Sequence, residues 1–266
     1  MPRSMGGAGV AGSIEFPRTV WGVIWATSTH NRNLRSGARY NVFRGLAIAS
    51  TSLAIVYTVL ALLIRGTISQ VFLSAFSFYM VYFYLYIFAS STISNERLWL
   101  NLSIEPTRYF RYRMLARTLI MTVALLPWIA AYSIQGIYFR PAIYLAIALI
   151  PIIMSAPSLS WLAAAYVGVP QRRELQLVQR PVTHSLRIYL IFLVLFITLA
   201  IYMTPYSLAL VTIYYPRLSI LGLIGDAFTA LILAASTVFF YYAVVSERGR
   251  GMWAWLVNRL SEFGYV

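Results

Sequence analysis

Long apolar runs alternate with short polar segments along the chain. Four of these runs cover residues 44–64, 69–93, 114–138 and 141–169, and each is twenty or more residues long. A helix of about 20 residues crosses the roughly 30 Å hydrocarbon core of a bilayer. The pattern therefore predicts four membrane-spanning helices in this part of the chain.

A further apolar stretch follows, and two prolines, Pro205 and Pro216, interrupt it. Proline lacks the backbone donor that a helix interior needs. We therefore expect the chain to turn back at these prolines. The predicted elements are a fifth span over 187–203, a short hairpin over 204–225 that dips into the outer leaflet, and a sixth span from about Asp226 to about residue 245. Two long tilted helices are the alternative.

Two shorter segments flank the spans and carry apolar residues at helical spacing. In the first they are Val20, Trp21, Ile24 and Trp25, after a helix start at Pro17; in the second they are Met252, Leu256, Leu260 and Phe263. Both segments are too short to span a bilayer and suit helices that lie on the inner membrane surface. The predicted fold is thus an all-α membrane protein with six transmembrane helices and an interfacial helix at each terminus.

Composition supports a multi-pass membrane protein. The 266 residues are 60% hydrophobic, whereas soluble domains average about 45–50%. The apolar runs begin too late for a cleavable signal peptide, so we expect the amino terminus to be mature. There is no cysteine, which excludes disulfides and thiol chemistry.

The arginines predict the orientation in the membrane. All 21 basic residues are arginine, and only Arg65, Arg140 and Arg217 fall on one predicted side, against eighteen on the other. The positive-inside rule places the eighteen, and both termini, in the cytosol of a plasma-membrane protein. The predicted domains are a cytosolic segment over 1–43, a six-span domain over 44–246 with inner loops at 94–113 and 170–186, and a cytosolic amphipathic helix over 247–266. Orientation and contact with anionic lipid explain the net charge of +14 without a nucleic-acid partner.

Most catalytic signatures are missing from the sequence. The two histidines, His30 and His184, have no neighbours at metal-ligand spacing, and the chain has no lysine for a phosphate-binding loop. We expect no catalytic residue, metal site or cofactor in this chain. Asp226 is the one acid on the predicted outer side, and is either part of a membrane pathway or a helix cap at the interface. The aromatic second span either lines a path for an amphipathic substrate or serves packing and lipid contact.

The segment "SNERLWLNLSIEPTRYFRYRML", residues 94–115, mixes charges of both signs with large apolar side chains. A short amphipathic helix that docks on a cytosolic partner has this composition, and so has one that rests on lipid head groups. The residues that we expect to contact a partner are Glu96, Arg97, Leu98, Trp99, Leu102, Glu105 and Arg108.

In sequence and in layout this segment resembles the coupling helix of the type-2 ABC exporter permeases. Glu96-Arg97 is followed by leucines, a break at Pro106 and a basic entry into the third span. The resemblance implies a non-catalytic permease subunit that pairs with a second permease subunit, as homo- or heterodimer, and with a separate ATPase subunit that binds ATP and Mg²⁺. A structural subunit of a larger respiratory or secretion complex is the alternative, and an intramembrane enzyme is a third.

Overall fold

A computed structural model describes residues 19–32, 39–94, 105–167 and 182–262 of the chain. Eight α-helices account for most of these residues. They are α1 (Val20–Thr29), α2 (Val42–Leu63), α3 (Thr67–Ser94), α4 (Pro106–Tyr138), α5 (Ala142–Val167), α6 (Val182–Tyr214), α7 (Ile220–Phe240) and α8 (Arg250–Glu262). Two three-residue strands, β1 (His30–Arg32) and β2 (Arg39–Asn41), pair antiparallel between α1 and α2.

Five of the described helices are long and apolar enough to cross a membrane. The apolar segments are Phe43–Leu63, Arg108–Tyr138, Ala142–Leu162, Leu193–Tyr214 and Ile220–Val245. The multi-pass membrane prediction is therefore supported, and each of the five segments overlaps a span predicted from the sequence. The predicted second span forms the 28-residue helix α3 but is not among the five. Six spans therefore remain a prediction.

The predicted hairpin between spans five and six is wrong. Helix α6 continues through Pro205 to Tyr214, and a short turn over Pro216–Leu218 leads directly into α7, which begins six residues before Asp226. The alternative of two long helices describes this region correctly. Membrane helices tolerate an internal proline because neighbouring helices and hydroxyl side chains satisfy the freed backbone groups.

The antiparallel pair α4 and α5 forms the centre of the helix bundle. Helix α2 packs on α4, whereas α3, α6 and α7 pack on α5. The turns between α2 and α3, α4 and α5, and α6 and α7 all lie at one end, which we call the hairpin end. Helices α1 and α8 pack on α4 at the other end, which we call the terminal end.

Both flanking segments are helical, as predicted, but they are packed on protein. Ile24 of α1 and Leu256 of α8 are fully buried, and both belong to one apolar cluster with the start of α4. The predicted apolar face of α1 is present, since Trp21 and Trp25 stack with ring centroids 5.9 Å apart. Phe263 lies outside the described residues. The two helices thus form part of the bundle at its terminal end.

Candidate functional site

The predicted partner-contact residues lie at the junction of α3 and α4. Glu96, Arg97, Leu98, Trp99 and Leu102 lie outside the described residues, between the end of α3 at Ser94 and the start of α4 at Pro106. Glu105 and Arg108 are described, and both are exposed at the terminal end. The structure therefore places the two attachment points of this segment at the end of the bundle that also holds α1 and α8.

Three aromatic rings attach α8 to the bundle beside this junction. Phe110 of α4 stacks on Trp253 of α8, with centroids 5.7 Å apart and ring planes 10° from parallel. Trp161 of α5 meets Phe110 edge-on at 4.9 Å. All three side chains are almost completely buried. The first two turns of α4, the end of α5 and α8 are thereby held as one packed unit.

Backbone carbonyls at the end of α7 form a second set of attachments. A single π-helical turn, Tyr241–Val245, follows α7 and leaves carbonyl oxygens without partners in the helix. Arg111 donates through Nε to Val244 O at 2.8 Å and through its terminal nitrogen to Val245 O at 2.6 Å. Trp253 donates through Nε1 to Ala243 O at 2.7 Å. The C-terminal end of a helix carries a partial negative charge, which also favours the Arg111 guanidinium at this position.

The chain after the π turn passes so close to it that only glycine fits at residue 249. A Cβ atom on Gly249 would collide with the carbonyl oxygen of Tyr242. Gly249 therefore allows α8 to fold back against the end of α7, where Trp253 reaches its acceptor.

Arg113 makes the corresponding attachment for α1. Its guanidinium donates to the carbonyl oxygen of Ile24 at 3.3 Å and to the hydroxyl of buried Ser28. The preceding residue, Tyr112, also contacts α1: its ring meets that of Trp21 edge-on, with centroids 5.9 Å apart. Successive residues of α4 thus hold α7, α1 and α8 at the terminal end.

A basic groove opens beside these attachments. It has a volume of about 340 Å³ and is lined by Glu105, Arg108, Arg111, Tyr112 and Arg250. The guanidinium of Arg108 lies 5.6 Å from the centre of the Tyr112 ring, within cation–π distance. Arg250 pairs with exposed Glu247 at 3.2 Å.

Asp226 is not a helix cap, and its place in a membrane pathway stays a prediction. It lies in the second turn of α7, whose N-cap is Ser219, so the helix-cap interpretation is wrong. Its carboxylate accepts a hydrogen bond of 2.7 Å from the hydroxyl of Tyr144 on α5, and the side chain is exposed at the protein surface. A narrow cleft of about 10 Å³ between α5, α6 and α7 is lined by Tyr144, Tyr202, Pro205 and neighbouring side chains.

A chain of neutral polar groups crosses the bundle interior toward the hairpin end. Tyr57 of α2 donates its hydroxyl to the side-chain oxygen of Gln135 on α4, and the Gln135 amide donates to Gln70 of α3. The Gln70 amide in turn donates to the carbonyl oxygens of Ala61 and Ile64, at 2.8 and 2.6 Å. Three helices and the turn between α2 and α3 are therefore joined without a charge.

Tyrosine hydroxyls extend this network to α5 and α6. Across helix pairs they meet serine and threonine hydroxyls: Ser74 with Tyr206 at 2.7 Å, Ser77 with Tyr132 at 3.0 Å, Ser155 with Tyr202 at 3.0 Å, and Tyr82 with Thr198. Sequence reasoning missed this network. The only signal was the tyrosine and serine content of the second span.

The second span has two aromatic faces. Phe78 and Tyr82 are buried against α4, α5 and α6, whereas Phe72, Phe76 and Tyr79 are exposed on the outer surface of the bundle. This division supports the packing and lipid-contact interpretation for the described part of α3. The rings that face inward contact other helices.

The described residues contain no group of three or more histidine, aspartate or glutamate side chains that could hold a metal ion.

Comparison of the chain with known protein families, curated proteins and solved structures gives no significant match. Helix α4, 33 residues and about 50 Å long, carries the arginine attachments near one end and Gln135 near the other.

Proposed function

We propose that the chain is a permease subunit of an ATP-driven exporter, and that residues 95–105 couple it to a separate ATPase subunit. In this proposal α3 also crosses the membrane and brings the number of spans to six. The terminal end faces the cytosol, and the protein resides in the plasma membrane. A second permease subunit completes the pathway. ATP and Mg²⁺ bind only the ATPase.

The observation that carries the proposal is where the two helices beside the 95–105 segment end and begin: α3 ends at Ser94 and α4 begins at Pro106. The segment leaves α3 and enters α4 at the terminal end, immediately before the residues that hold α1, α7 and α8. A partner that pushes this segment would act directly on α4. Since α4 also carries Gln135, such a displacement would reach the polar network along the same helix. This is the mechanical connection that an exporter needs between ATP hydrolysis and its membrane helices.

Charge reversal at the segment tests the coupling. Glu96→Arg should weaken association with the ATPase or uncouple hydrolysis from transport, while insertion and thermal stability stay nearly unchanged. Trp99→Ala should act similarly, because a buried aromatic anchor is a common interface hot spot. Glu247→Arg is the matched control, since Glu247 is exposed and its pair with Arg250 is of the kind worth under about 1 kcal/mol.

Pull-down and ATPase assays decide the outcome. The purified chain alone should not hydrolyse ATP, because it has no lysine for a phosphate-binding loop. Undiminished ATPase binding and coupling in both variants would contradict the proposal. If the chain co-purifies only with other integral membrane subunits, and with no ATPase, it is a structural subunit of a larger complex.

A further inference from the structure

The proposed coupling to an ATPase does not explain the basic groove at the terminal end. Three of its five lining side chains are arginines, from α4 and α8, and one is a glutamate. The lining therefore carries two net positive charges around about 340 Å³ of open space. Such a concave surface attracts a compact anion and is large enough to admit one.

Two of the guanidinium groups are already held in place. Arg111 is fixed by the carbonyl oxygens of Val244 and Val245. Arg108 lies over the ring of Tyr112. A ligand therefore meets donors that lose little rotamer freedom on binding. Planar guanidinium groups match the oxygens of phosphate particularly well, often through paired hydrogen bonds.

The groove lies at the first residue of one of the segments that are long and apolar enough to cross a membrane. That segment is Arg108–Tyr138 of α4, and its arginine-rich first turns precede the apolar run that starts near residue 114. Val245, whose carbonyl binds Arg111, is half exposed and apolar, so a hydrocarbon chain could lie against it while a head group enters the groove. This position favours a membrane lipid over an acidic side chain from a soluble protein.

We propose that the groove binds the phosphate head group of an anionic phospholipid from the leaflet at the terminal end. Arg108 and Arg250 contact the phosphate oxygens from two helices, and Arg111 completes the positive wall. The lipid would thereby bridge the start of α4 and α8 next to the junction with the 95–105 segment. The binding requires no ATPase, so its test is independent of the exporter proposal.

Native mass spectrometry of the full chain in detergent tests the proposal. Phosphatidylglycerol and phosphatidylcholine with identical acyl chains are titrated separately. We expect one phosphatidylglycerol per chain to be retained at concentrations at which phosphatidylcholine is lost. The double variant Arg108→Gln/Arg250→Gln should weaken this binding about tenfold or more, and Arg108→Lys/Arg250→Lys should weaken it less because the charges remain. Both side chains are exposed, so the variants should fold.

The matched control removes the same charge from the hairpin end. Arg65→Gln/Arg217→Gln alters two exposed arginines there and should bind phosphatidylglycerol like the unmodified chain. Equal retention of the two lipids, or equal loss in both glutamine double variants, would overturn the proposal. Displacement of the lipid by inorganic phosphate at equal concentration would also overturn it, because it would show that the groove binds free phosphate without using the acyl chains.

Discussion

The helices are held together differently at the two ends of the bundle. At the terminal end, Arg111 and Trp253 donate to backbone carbonyls and large rings pack between helices. Toward the hairpin end, the connections between helices are made by glutamine, serine and tyrosine side chains. Charged side chains take part in the contacts between helices at the terminal end, whereas neutral side chains make those described toward the hairpin end.

The difference follows from the surroundings of each end. Near a membrane boundary an arginine keeps contact with water or head groups, and the unpaired carbonyls of a helix end are acceptors that suit it. In the buried interior of the bundle a charge without a partner is expensive, so neutral hydroxyl and amide groups provide the cross-links. The substitutions below should therefore cost most where aromatic packing and backbone capping coincide, and least where a polar pair is exposed.

The largest effect is expected for Trp253→Ala. The substitution removes a fully buried ring from its stack on Phe110 and leaves the carbonyl of Ala243 without its donor. Truncation of a buried tryptophan typically costs about 3–5 kcal/mol. We expect α8 to detach, which limited proteolysis would detect as cleavage between α7 and α8. Trp255→Ala, at a partly exposed position on the same helix, is the control and should leave the cleavage pattern unchanged.

Arg111→Met should have the next largest effect. The aliphatic part of the side chain is kept, but the carbonyls of Val244 and Val245 lose a charged donor. Hydrogen bonds to charged groups contribute about 1.5–3 kcal/mol. Thermal unfolding in detergent should show this loss, whereas Arg108→Met should shift the midpoint much less because Arg108 is exposed. Equal shifts in both variants would mean that the contact with α7 is not what makes Arg111 stabilising.

Hydropathy and helical spacing predicted much of the fold from the sequence alone. Helices form where the four runs before residue 170 predicted them, and three of these helices contain candidate membrane spans. The apolar faces of α1 and α8 also appear as expected, because burial in lipid or protein requires the same apolar periodicity. The prediction that the fifth helix ends before Pro205 was wrong. A membrane helix continues through an internal proline when the freed backbone groups find other partners. The packing of α8 on Phe110 could not be read from helical spacing, which shows an apolar face but not what covers it.

The polar network could not be predicted for a different reason. Gln70 and Gln135 are 65 residues apart and are each a single polar residue beside a long apolar run. Their pairing depends on how α3 and α4 are rotated in the bundle, which the hydrophobic pattern leaves open. The helix-cap interpretation of Asp226 failed because it depended on where α7 begins. The hairpin prediction put that start near residue 226, whereas α7 begins at Ile220.

Gln135→Leu tests the hairpin end, where neutral side chains join the helices. The side chain keeps a similar volume, but Tyr57 and Gln70 lose the group that joins them. Interhelical hydrogen bonds in membrane proteins contribute about 0.6 kcal/mol on average and up to about 1.7. Because two bonds are lost, we expect destabilisation of about 1–2 kcal/mol in a denaturant titration. Ser133→Leu, at an exposed position on the same helix, should be neutral. A cost as large as that of Trp253→Ala would reverse the expected order of the two ends.

The smallest effect is expected for the polar pair on the surface of the bundle. Tyr144→Phe removes the hydrogen bond to Asp226 but leaves the ring in place. Since Asp226 is exposed and lies only about 9 Å along α7 from its start, water or head groups can replace the lost donor. The cost should therefore stay below about 1 kcal/mol in the same titration. Asp226→Asn keeps an acceptor for Tyr144 and should also change stability little. If Tyr144→Phe instead destabilises the chain as much as Gln135→Leu, Asp226 is surrounded by hydrocarbon, and the neutral character of this half of the bundle has a functional exception at α7.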